Sequence, residues 1–336
     1  MKALFVQQPG VVELIDVNDP VPSAGWARIR VRAVGICMTD FELIDGTIRV
    51  PYPLTPGHEW SGVVDAVGSS SDEAWIGRRV TGDNEITCLQ CAYCRRGEWR
   101  RCAQYRQIGF EANGGYAEYL VVPVCNLHPL AEDVSFEQGA ILEPLGVGLA
   151  VARMAQARPG STAIILGTGP IGLNCLAALK ASGAIRICCL DLRKSRLDLA
   201  KAWGAAYVCS DFADLAETAA RWHPEGTDIV VDATGNVAVV RSGIPLTRFG
   251  GTFILAGFCR HKSVEIEPEI IHLGNIRFLG AGNNCGFIST AAQCAAAGAL
   301  RTETMITHRY RLQDYQTALS RDTVAAEGYV KGVFIP

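Results

Sequence analysis

The feature that most constrains the fold is a glycine-rich turn between a short apolar run and a helical run. The sequence "TAIILGTGPIGLNCLAALKASGA" places Gly167, Gly169 and Gly172 in a G-x-G-x-x-G pattern. The next apolar run, "IRICCLDL", carries Asp191 near its end. A strand, this turn, a helix and a second strand that ends near an acidic residue form a dinucleotide-binding unit. Such a unit requires a parallel sheet around it.

The same alternation of strand and helix continues along the chain. After the helical run "RKSRLDLAKAWGA" come the strand-like runs "AYVCS", "DIVVDATG" and "GGTFILAG". This rhythm predicts an α/β fold with a doubly wound parallel sheet. Before about residue 125 the chain instead shows short β-type runs between Gly, Pro, Asn and Asp, which indicate an antiparallel or barrel-like domain. We therefore expect segments 1–148, 149–284 and 285–336, the last returning to the first.

Composition and charge exclude several classes of protein. The 336 residues include 31 Lys and Arg against 34 Asp and Glu, a net charge of −3. This balance predicts no general attraction for nucleic acid or anionic membranes. The N-terminal run lacks the features of a signal peptide, and no window approaches the roughly 18 apolar residues of a membrane span. We expect a cytoplasmic protein, in which clustered thiols bind metal more often than they form disulfides.

The glycine turn predicts how a dinucleotide would bind. Gly167 permits the tight turn, Gly169 lets the backbone approach the pyrophosphate, and Gly172 lets helix and strand pack closely. Asp191 can accept hydrogen bonds from the adenosine ribose and would repel a 2′-phosphate, which favours NAD over NADP. Arg193 leaves NADP open, because a nearby arginine can bind a 2′-phosphate, and a glycine turn without any ligand is the simplest alternative. The remaining predicted cofactor-binding residues are Pro170, Ile171 and Arg196.

Four of the 13 cysteines lie close together in the stretch "CLQCAYCRRGEWRRC", within a lobe at about residues 84–105. Four thiolates can surround one Zn²⁺ tetrahedrally at about 2.3 Å, and such a closed site is structural because it leaves no position for substrate. A redox or disulfide cluster is the alternative. The four predicted ligands are Cys88, Cys91, Cys94 and Cys102. Cysteines outside the metal-like stretches are expected to be small buried hydrophobic residues. They are Cys125, Cys175, Cys188, Cys189, Cys209, Cys259, Cys285 and Cys294.

A second set of candidate metal ligands is scattered along the chain. Cys37 lies in "GICMTD", His58 and Glu59 in "PGHEW", and Glu143 in "ILEPLG". One soft and three harder ligands suit a site with an open coordination position, as catalysis requires. Taken singly, Cys37 fits a core position, His58 a loop and Glu143 the start of a helix. Their combination makes a catalytic metal the better interpretation.

The chain resembles the zinc-containing medium-chain alcohol and polyol dehydrogenases over essentially its whole length. The resemblance rests on the glycine turn with Asp191, the four-cysteine lobe, and the motifs "GICMTD", "PGHE", "EPLG" and "VDATG". The resemblance implies a GroES-like, β-rich catalytic domain built from both ends of the chain, a Rossmann domain between them and an active site in the cleft. It also implies two zinc ions per chain, one catalytic and one structural. By the same resemblance Cys37 and His58 ligate the catalytic zinc, and Glu59 and Glu143 compete for the remaining protein position.

The resemblance also implies a reaction. Zinc would act as a Lewis acid on a secondary alcohol, with hydride passing to NAD. Thr39 matches the hydroxyl that hydrogen-bonds the substrate oxygen, and Asp40 matches a carboxylate that would orient His58 or an adjacent group. Glu42 stands where many relatives end a proton relay in histidine, so either Glu42 takes that role or protons leave through water. Met38 replaces a phosphate-binding arginine of some members.

The substrate is expected to be a small polyhydroxy compound or amino alcohol. Glu143 within "EPLG" resembles the sorbitol, threonine and glucose dehydrogenase branch, so a polyol, sugar, cyclitol or amino alcohol fits. An L-threonine 3-dehydrogenase is the alternative within the fold. Segments that line the cleft in relatives contain Tyr52, Phe110, Glu111, Asn283 and Asn284.

Oligomers, dimers or tetramers, are usual in the family, and the run "NIRFLGAG" could pair across a two-fold axis. Two other classes of function are weighed against a dehydrogenase. A non-enzymatic NAD(H) sensor would not need an open metal position. A zinc-ribbon nucleic-acid binder is disfavoured by the acidic charge balance.

Overall fold

The computed structural model describes residues 1–282, 286–300 and 302–336. Asn283, Asn284 and Cys285, and with them the boundary expected between 284 and 285, lie outside the described residues. Within these ranges no helix combines the length and the apolar character that a membrane crossing requires.

The chain begins and ends with strands and carries most of its helices in the middle. The strands, in chain order, are β1 (Lys2–Gln8), β2 (Val11–Asp16), β3 (Trp26–Ile36), β4 (Glu59–Val67), β5 (Arg79–Gly82), β6 (Glu85–Ile86), β7 (Arg106–Gln107), β8 (Tyr119–Pro123), β9 (Leu127–Pro129), β10 (Thr162–Leu166), β11 (Arg186–Leu190), β12 (Tyr207–Cys209), β13 (Thr227–Asp232), β14 (Thr247–Leu255), β15 (Arg277–Gly280), β16 (Ile306–Tyr310) and β17 (Lys331–Phe334). The α-helices are α1 (Met38–Ile44), α2 (Ala92–Arg95), α3 (Phe136–Ala140), α4 (Leu142–Met154), α5 (Pro170–Ala181), α6 (Lys194–Ala202), α7 (Phe212–Trp222), α8 (Val237–Gly243), α9 (Pro268–Gly274), α10 (Ile288–Ala296), α11 (Tyr315–Ala318) and α12 (Arg321–Ala325).

The middle of the chain forms a parallel six-stranded sheet in the order β12-β11-β10-β13-β14-β15. Strand β10 is buried along its whole length, as its uninterrupted apolar sequence requires, because helices cover both faces of such a sheet. The order reverses at β10, where β11 lies on one side and β13 on the other. A doubly wound sheet binds its ligands at such a reversal. The predicted fold class is confirmed by this architecture.

The two ends of the chain share a second sheet in the order β16-β17-β3-β4-β5-β9, with β8 also paired to β3. Strand β17 runs antiparallel to β3, with Val333 opposite Gly35. Strand β3 alternates buried and exposed residues over its first half and is buried throughout its last four residues, where the closing strand covers it. The C-terminal segment therefore completes the sheet that the N-terminal segment begins.

Helix α4 connects the two sheets. It packs along α5, and a Cβ on Gly148 would lie 2.5 Å from the backbone oxygen of Asn174, so only glycine permits this approach. The boundary expected between 148 and 149 falls inside α4, because the helix continues through Gly148, where its packing against α5 requires a glycine. Residues from both halves of the molecule line one cleft of ≈ 530 Å³, among them Cys37 and Asp191.

Candidate functional site

The glycine turn between β10 and α5 forms one wall of the cleft. Gly167 has a φ of +92°, a conformation that side chains other than glycine rarely adopt. A Cβ on Gly172 would lie 1.8 Å from the oxygen of Gly167, so the turn and the helix can close only with glycine there. Helix α5 begins at Pro170, with Gly169 as its N-cap residue. Gly169, Pro170 and Ile171 at this helix end line the cleft, and the N-terminus of a helix suits a phosphate.

Asp191 lies immediately after β11 and is held by the backbone. Its Oδ2 accepts a hydrogen bond from the Thr168 N–H at 2.8 Å, and its Oδ1 accepts one from the Arg193 N–H at 3.0 Å. Arg196 Nη1 lies 3.8 Å from Oδ2. These contacts fix the carboxylate at the edge of the cleft, where it can accept further hydrogen bonds from a ribose.

The C-terminal segment holds the turn that follows Asp191. The Arg193 side chain donates through Nη1 to the carbonyl oxygen of Val324 at 2.9 Å and to that of Tyr329 at 3.4 Å. Glu327 accepts a hydrogen bond from the Ser195 N–H at 2.8 Å. The Arg193 guanidinium, which the sequence left open as a 2′-phosphate ligand, is thus engaged with the protein's own backbone.

The other end of the cleft contains Cys37, His58 and Glu59, whose ligand atoms all lie within 4.8 Å of one another. Cys37 follows β3, and Glu59 is the first residue of β4. The pairing of these strands places Gly35 opposite Glu59. A Cβ on Gly35 would lie 2.0 Å from Glu59 Oε2, so the glycine of "GIC" leaves the space that the carboxylate occupies.

A thiol, an imidazole and a carboxylate in one small volume fit a zinc ion chemically. The buried Glu59 Oε2 has no hydrogen-bond partner among the described residues, as expected of an atom that awaits a cation. Glu143 is buried in α4 and does not belong to this group of three, so of the two glutamates left open by the sequence, Glu59 is the one that adjoins Cys37 and His58.

The Asp40 carboxylate contacts two members of this group, Cys37 and His58. Its Oδ2 accepts hydrogen bonds from the Cys37 N–H at 2.8 Å and from the Tyr116 hydroxyl at 2.5 Å, and its Oδ1 lies 3.5 Å from His58 Nδ1. Burial lowers the pKa of His58, but Asp40 and Cys37 outweigh it and raise that pKa well above its usual value. The Phe110 ring packs on the imidazole with centroids 5.2 Å apart. The imidazole is therefore oriented by a carboxylate on one side and an aromatic ring on another.

Lys331 is a buried partner of Glu59 that sequence reasoning missed. Its Nζ lies 2.6 Å from Glu59 Oε1, and the two side chains are only 3% and 1% exposed. Burial lowers the pKa of Lys331, but the Glu59 carboxylate more than offsets this and raises it. A signal was present, because Lys331 lies within the otherwise apolar run "YVKGVFIP" and a buried lysine needs an acidic partner.

The cleft also contains the two residues expected to carry a proton. The Thr39 hydroxyl accepts a hydrogen bond from Cys37 Sγ at 3.5 Å, and both residues line the cleft. Glu42 lines it as well, and its Oε1 accepts a hydrogen bond from Arg260 Nε at 2.7 Å. Sequence reasoning did not find Arg260, since nothing local to "GFCRHK" indicates its partner.

The other residues expected along the cleft have different surroundings. The Tyr52 hydroxyl donates to the carbonyl oxygen of Leu43 at 2.6 Å, and Glu111 accepts a hydrogen bond from the Gln107 N–H at 2.9 Å. Both are thus engaged by neighbouring backbone. Met38 is partly exposed on the cleft wall and provides no charge for a phosphate.

The cysteine lobe forms a separate cluster in which the four sulfur atoms lie within 4.8 Å of one another. The sulfur of Cys88 lies 3.9 Å from that of Cys94 and 3.6 Å from that of Cys102, and the Cys91 and Cys94 sulfurs are 3.5 Å apart. A tetrahedron of sulfurs at about 2.3 Å from zinc has edges of about 3.8 Å. Backbone N–H groups of Gln90 and Cys91 lower the pKa of Cys88 to about 6, which favours the thiolate. The cluster fits a metal and not disulfides.

Comparison with known proteins finds a matching family for each half of the molecule. Residues 23–132 match the family described as "Alcohol dehydrogenase GroES-like domain", and residues 170–297 match "Zinc-binding dehydrogenase". The chain is 30% identical to D-arabinitol dehydrogenase 1 of Uromyces fabae over 96% of this chain and 93% of the relative. It is equally 30% identical to sorbitol dehydrogenase of Bacillus subtilis (strain 168), with the same two coverages.

A crystal structure of a zinc-binding dehydrogenase from Sinorhizobium meliloti 1021, bound to NADP, superimposes with a TM-score of 0.93 at 30% identity. The match covers 100% of this chain and 99% of the other. The two folds therefore agree over their whole length.

Proposed function

The chain belongs to the family of zinc-containing medium-chain alcohol and polyol dehydrogenases, and from this premise we propose that it transfers a hydride between a secondary alcohol of a polyol or sugar and NAD. One observation carries the proposal: Cys37 and Thr39 line the same cleft as the Gly167 turn and Asp191. A substrate beside Cys37 would thus meet the nicotinamide end of a dinucleotide bound at the turn. A redox reaction needs this adjacency, whereas a sensor or a nucleic-acid binder does not.

Cys37, His58 and Glu59 would hold the catalytic zinc, which when bound supplies a Lewis acid for an alcohol oxygen. Asp40 fixes the orientation of His58, and Phe110 covers the ring. Thr39 would hydrogen-bond the substrate hydroxyl and receive its proton. The Cys88–Cys102 lobe would hold the second, structural zinc, since its four thiols leave no ligand position for substrate.

The coenzyme preference rests on Asp191. Its carboxylate would accept hydrogen bonds from the ribose hydroxyls and repel a 2′-phosphate, and Arg193 is tied to the carbonyl oxygens of Val324 and Tyr329. Both features favour NAD. The neighbouring dehydrogenase was crystallised with NADP, so the preference must be measured.

The substrate class rests on the relatives. Two of them are named for D-arabinitol and sorbitol, which are open-chain polyols with adjacent secondary hydroxyls. We expect this chain to oxidise a compound of that class, or to reduce the matching ketose, in the cytoplasm.

The assembly is expected to be a homo-oligomer. Strand β15 lies at one edge of the parallel sheet, and its backbone groups on that side can pair with a second copy. Sedimentation of the purified protein tests this, and a monomer at micromolar concentration would contradict it.

The test combines metal analysis with turnover. Wild-type protein should contain about two zinc ions per chain and reduce NAD⁺ with a polyol from a panel of pentitols, hexitols, cyclitols, amino alcohols and threonine. Cys37→Ala should contain one ion fewer, lose turnover at least about 100-fold, as expected when a Lewis acid is removed, and still bind NADH. Cys125→Ala is the matched control, because Cys125 lies outside both clusters and is exposed, so that the expectation of a buried residue was wrong for this cysteine.

Two outcomes would contradict the proposal. If Cys37→Ala kept its turnover, the catalytic zinc assignment would be wrong. If threonine were the one substrate oxidised, the chain would be an L-threonine 3-dehydrogenase.

A further inference from the structure

An ion pair crosses the cleft between α1 and the loop after β14. Arg260 Nε lies 2.7 Å from Glu42 Oε1, and both residues line the cleft. The Glu42 side chain is 4% exposed, whereas that of Arg260 is 49% exposed. One partner therefore lies inside the protein and the other reaches solvent.

The Arg260–Glu42 ion pair lies near Thr39, the residue expected to receive the substrate proton. Thr39 and Glu42 are three residues apart on α1, so they share one face of the helix, and both line the cleft. Arg260 follows the carboxyl end of β14, the edge of a parallel sheet at which ligands bind. Arg260 and His261 both adopt left-handed backbone conformations, with φ values of 50° and 58°. The tight turn thus aims the Arg260 side chain back over the cleft at Glu42.

Arg260 is the charged partner of a buried carboxylate. A carboxylate taken out of water favours its neutral form unless an opposite charge compensates it. The other titratable groups that line the cleft are Cys37, Asp191, Arg193 and Arg196. Among the described residues, none of these four is hydrogen-bonded to Glu42, and the ion pair of α1 at its far end joins Asp45 to Arg321. Within the described part of the chain, Arg260 is therefore the cation that pairs with the buried Glu42 carboxylate.

We propose that Arg260 is a positioning residue that holds the Glu42 carboxylate in place through their ion pair, so that Glu42 accepts the proton released by the substrate and transferred through Thr39. The proposal rests on the proposed dehydrogenase function. In the oxidation, the substrate C–H bond breaks and its hydrogen and electron pair pass to NAD⁺. The O–H bond breaks as the carbonyl bond forms, and its proton passes through Thr39 to Glu42 and then to water beside the half-exposed guanidinium.

The experiment compares Arg260→Gln, Arg260→Lys and Glu42→Gln by the pH profile of alcohol oxidation, with proton release followed in single turnovers by a pH indicator. Without the guanidinium the buried carboxylate is protonated more easily, so the acid limb of the Arg260→Gln profile should move to higher pH. Its kcat should fall at least about tenfold at neutral pH and recover in alkaline solution, as expected when a general base is protonated. Arg260→Lys should restore part of the profile.

Two comparisons separate positioning from a structural role. Arg321→Gln removes a similar ion pair from the exposed end of α1 and should leave the profile unchanged. The double variant Arg260→Gln/Glu42→Gln should be no slower than Glu42→Gln alone, because the arginine acts through the carboxylate. NADH affinity, measured by fluorescence, should stay within about threefold in every variant that folds.

Specific results would overturn the inference. An Arg260→Gln profile that superimposes on that of the wild type would show that Arg260 does not act on Glu42. An effect confined to the KM for NAD⁺ would show that the pair serves coenzyme binding instead. Failure of the dehydrogenase function itself is distinguishable, since the wild-type protein would then oxidise no member of the panel.

Discussion

At the scale of the residue, the proposed preference for NAD depends on one carboxylate, that of Asp191. We expect Asp191→Ala to lower kcat/KM for NAD⁺ about 10- to 100-fold, because a hydrogen bond to a charged group contributes about 1.5–3 kcal/mol. The value for NADP⁺ should fall less or rise, since the charge that repels a 2′-phosphate is gone. The measurement is the ratio of the two kcat/KM values.

A matched control separates the charge of Asp191 from its hydrogen bonds. Asp191→Asn removes the charge and keeps one acceptor oxygen, enough for one of the two N–H groups of Thr168 and Arg193 that bond to the two carboxylate oxygens. It should shift the ratio towards NADP⁺ with a smaller loss for NAD⁺. An unchanged ratio in both variants would mean that Asp191 does not face the ribose.

The role of a residue could be predicted from the sequence where the contact that requires the residue lies nearby in the chain. Gly172 is required by the oxygen of Gly167 five positions earlier, so the pattern of the turn alone indicates it. Lys331 and Arg260 depend on acidic partners far away in the sequence, so neither could be paired before the fold was known. The choice between Glu59 and Glu143 was open for the same reason, because only the pairing of β3 with β4 brings one of them beside Cys37.

At the scale of the element, the cysteine lobe is built from very short pieces of secondary structure. Strands β6 and β7 have two residues each, and α2 has four. Elements this short bury little apolar surface, so we expect the lobe to depend on a bound metal for its structure. The spacing of its four cysteines could be recognised in the sequence because all four thiols fall within one loop.

The prediction that follows concerns Cys91→Ser. Losing one of four ligands should remove about one zinc ion per chain and open the lobe to protease, with cleavage between residues 84 and 105. NADH binding should persist, since the parallel sheet does not include the lobe. Limited proteolysis with mass spectrometry and metal analysis measure both effects, and Cys125→Ser is the control. A variant with intact zinc content and only a slower turnover would contradict a structural site.

At the scale of the whole molecule, the C-terminal segment returns to the candidate active site that the N-terminal segment forms. Strand β17 brings Lys331 to Glu59, residues that are 272 positions apart, and Arg193 of the parallel-sheet half donates to the backbone of the same C-terminal segment. The alternation of strands and helices predicted the parallel sheet. The closing contact needed the register of β17 against β3, which depends on packing along the entire sheet.

The buried ion pair between Lys331 and Glu59 should contribute more to the free energy of unfolding than an exposed ion pair does. Lys331→Met leaves the Glu59 charge buried without its partner, and breaking such a pair costs about 3–5 kcal/mol. Lys194→Met breaks an exposed pair with Asp198 and should change the free energy of unfolding little, because water screens that pair. Guanidinium denaturation of the metal-free proteins measures the difference, because a bound zinc ion would itself compensate the Glu59 charge. In Lys331→Met/Glu59→Gln both charges are absent, so at least half of the lost stability should return.

Zinc content distinguishes the two roles that Glu59 would combine. If Glu59 both pairs with Lys331 and ligates the metal, Lys331→Met should retain the catalytic ion, because a carboxylate freed of its ammonium partner remains an anionic ligand. The double variant should lose the ion even as its apoprotein regains stability. Equal stability of Lys331→Met and Lys194→Met would show that the pair does not hold the two ends of the chain together, and the assignment of Lys331 as the closing contact would have to be abandoned.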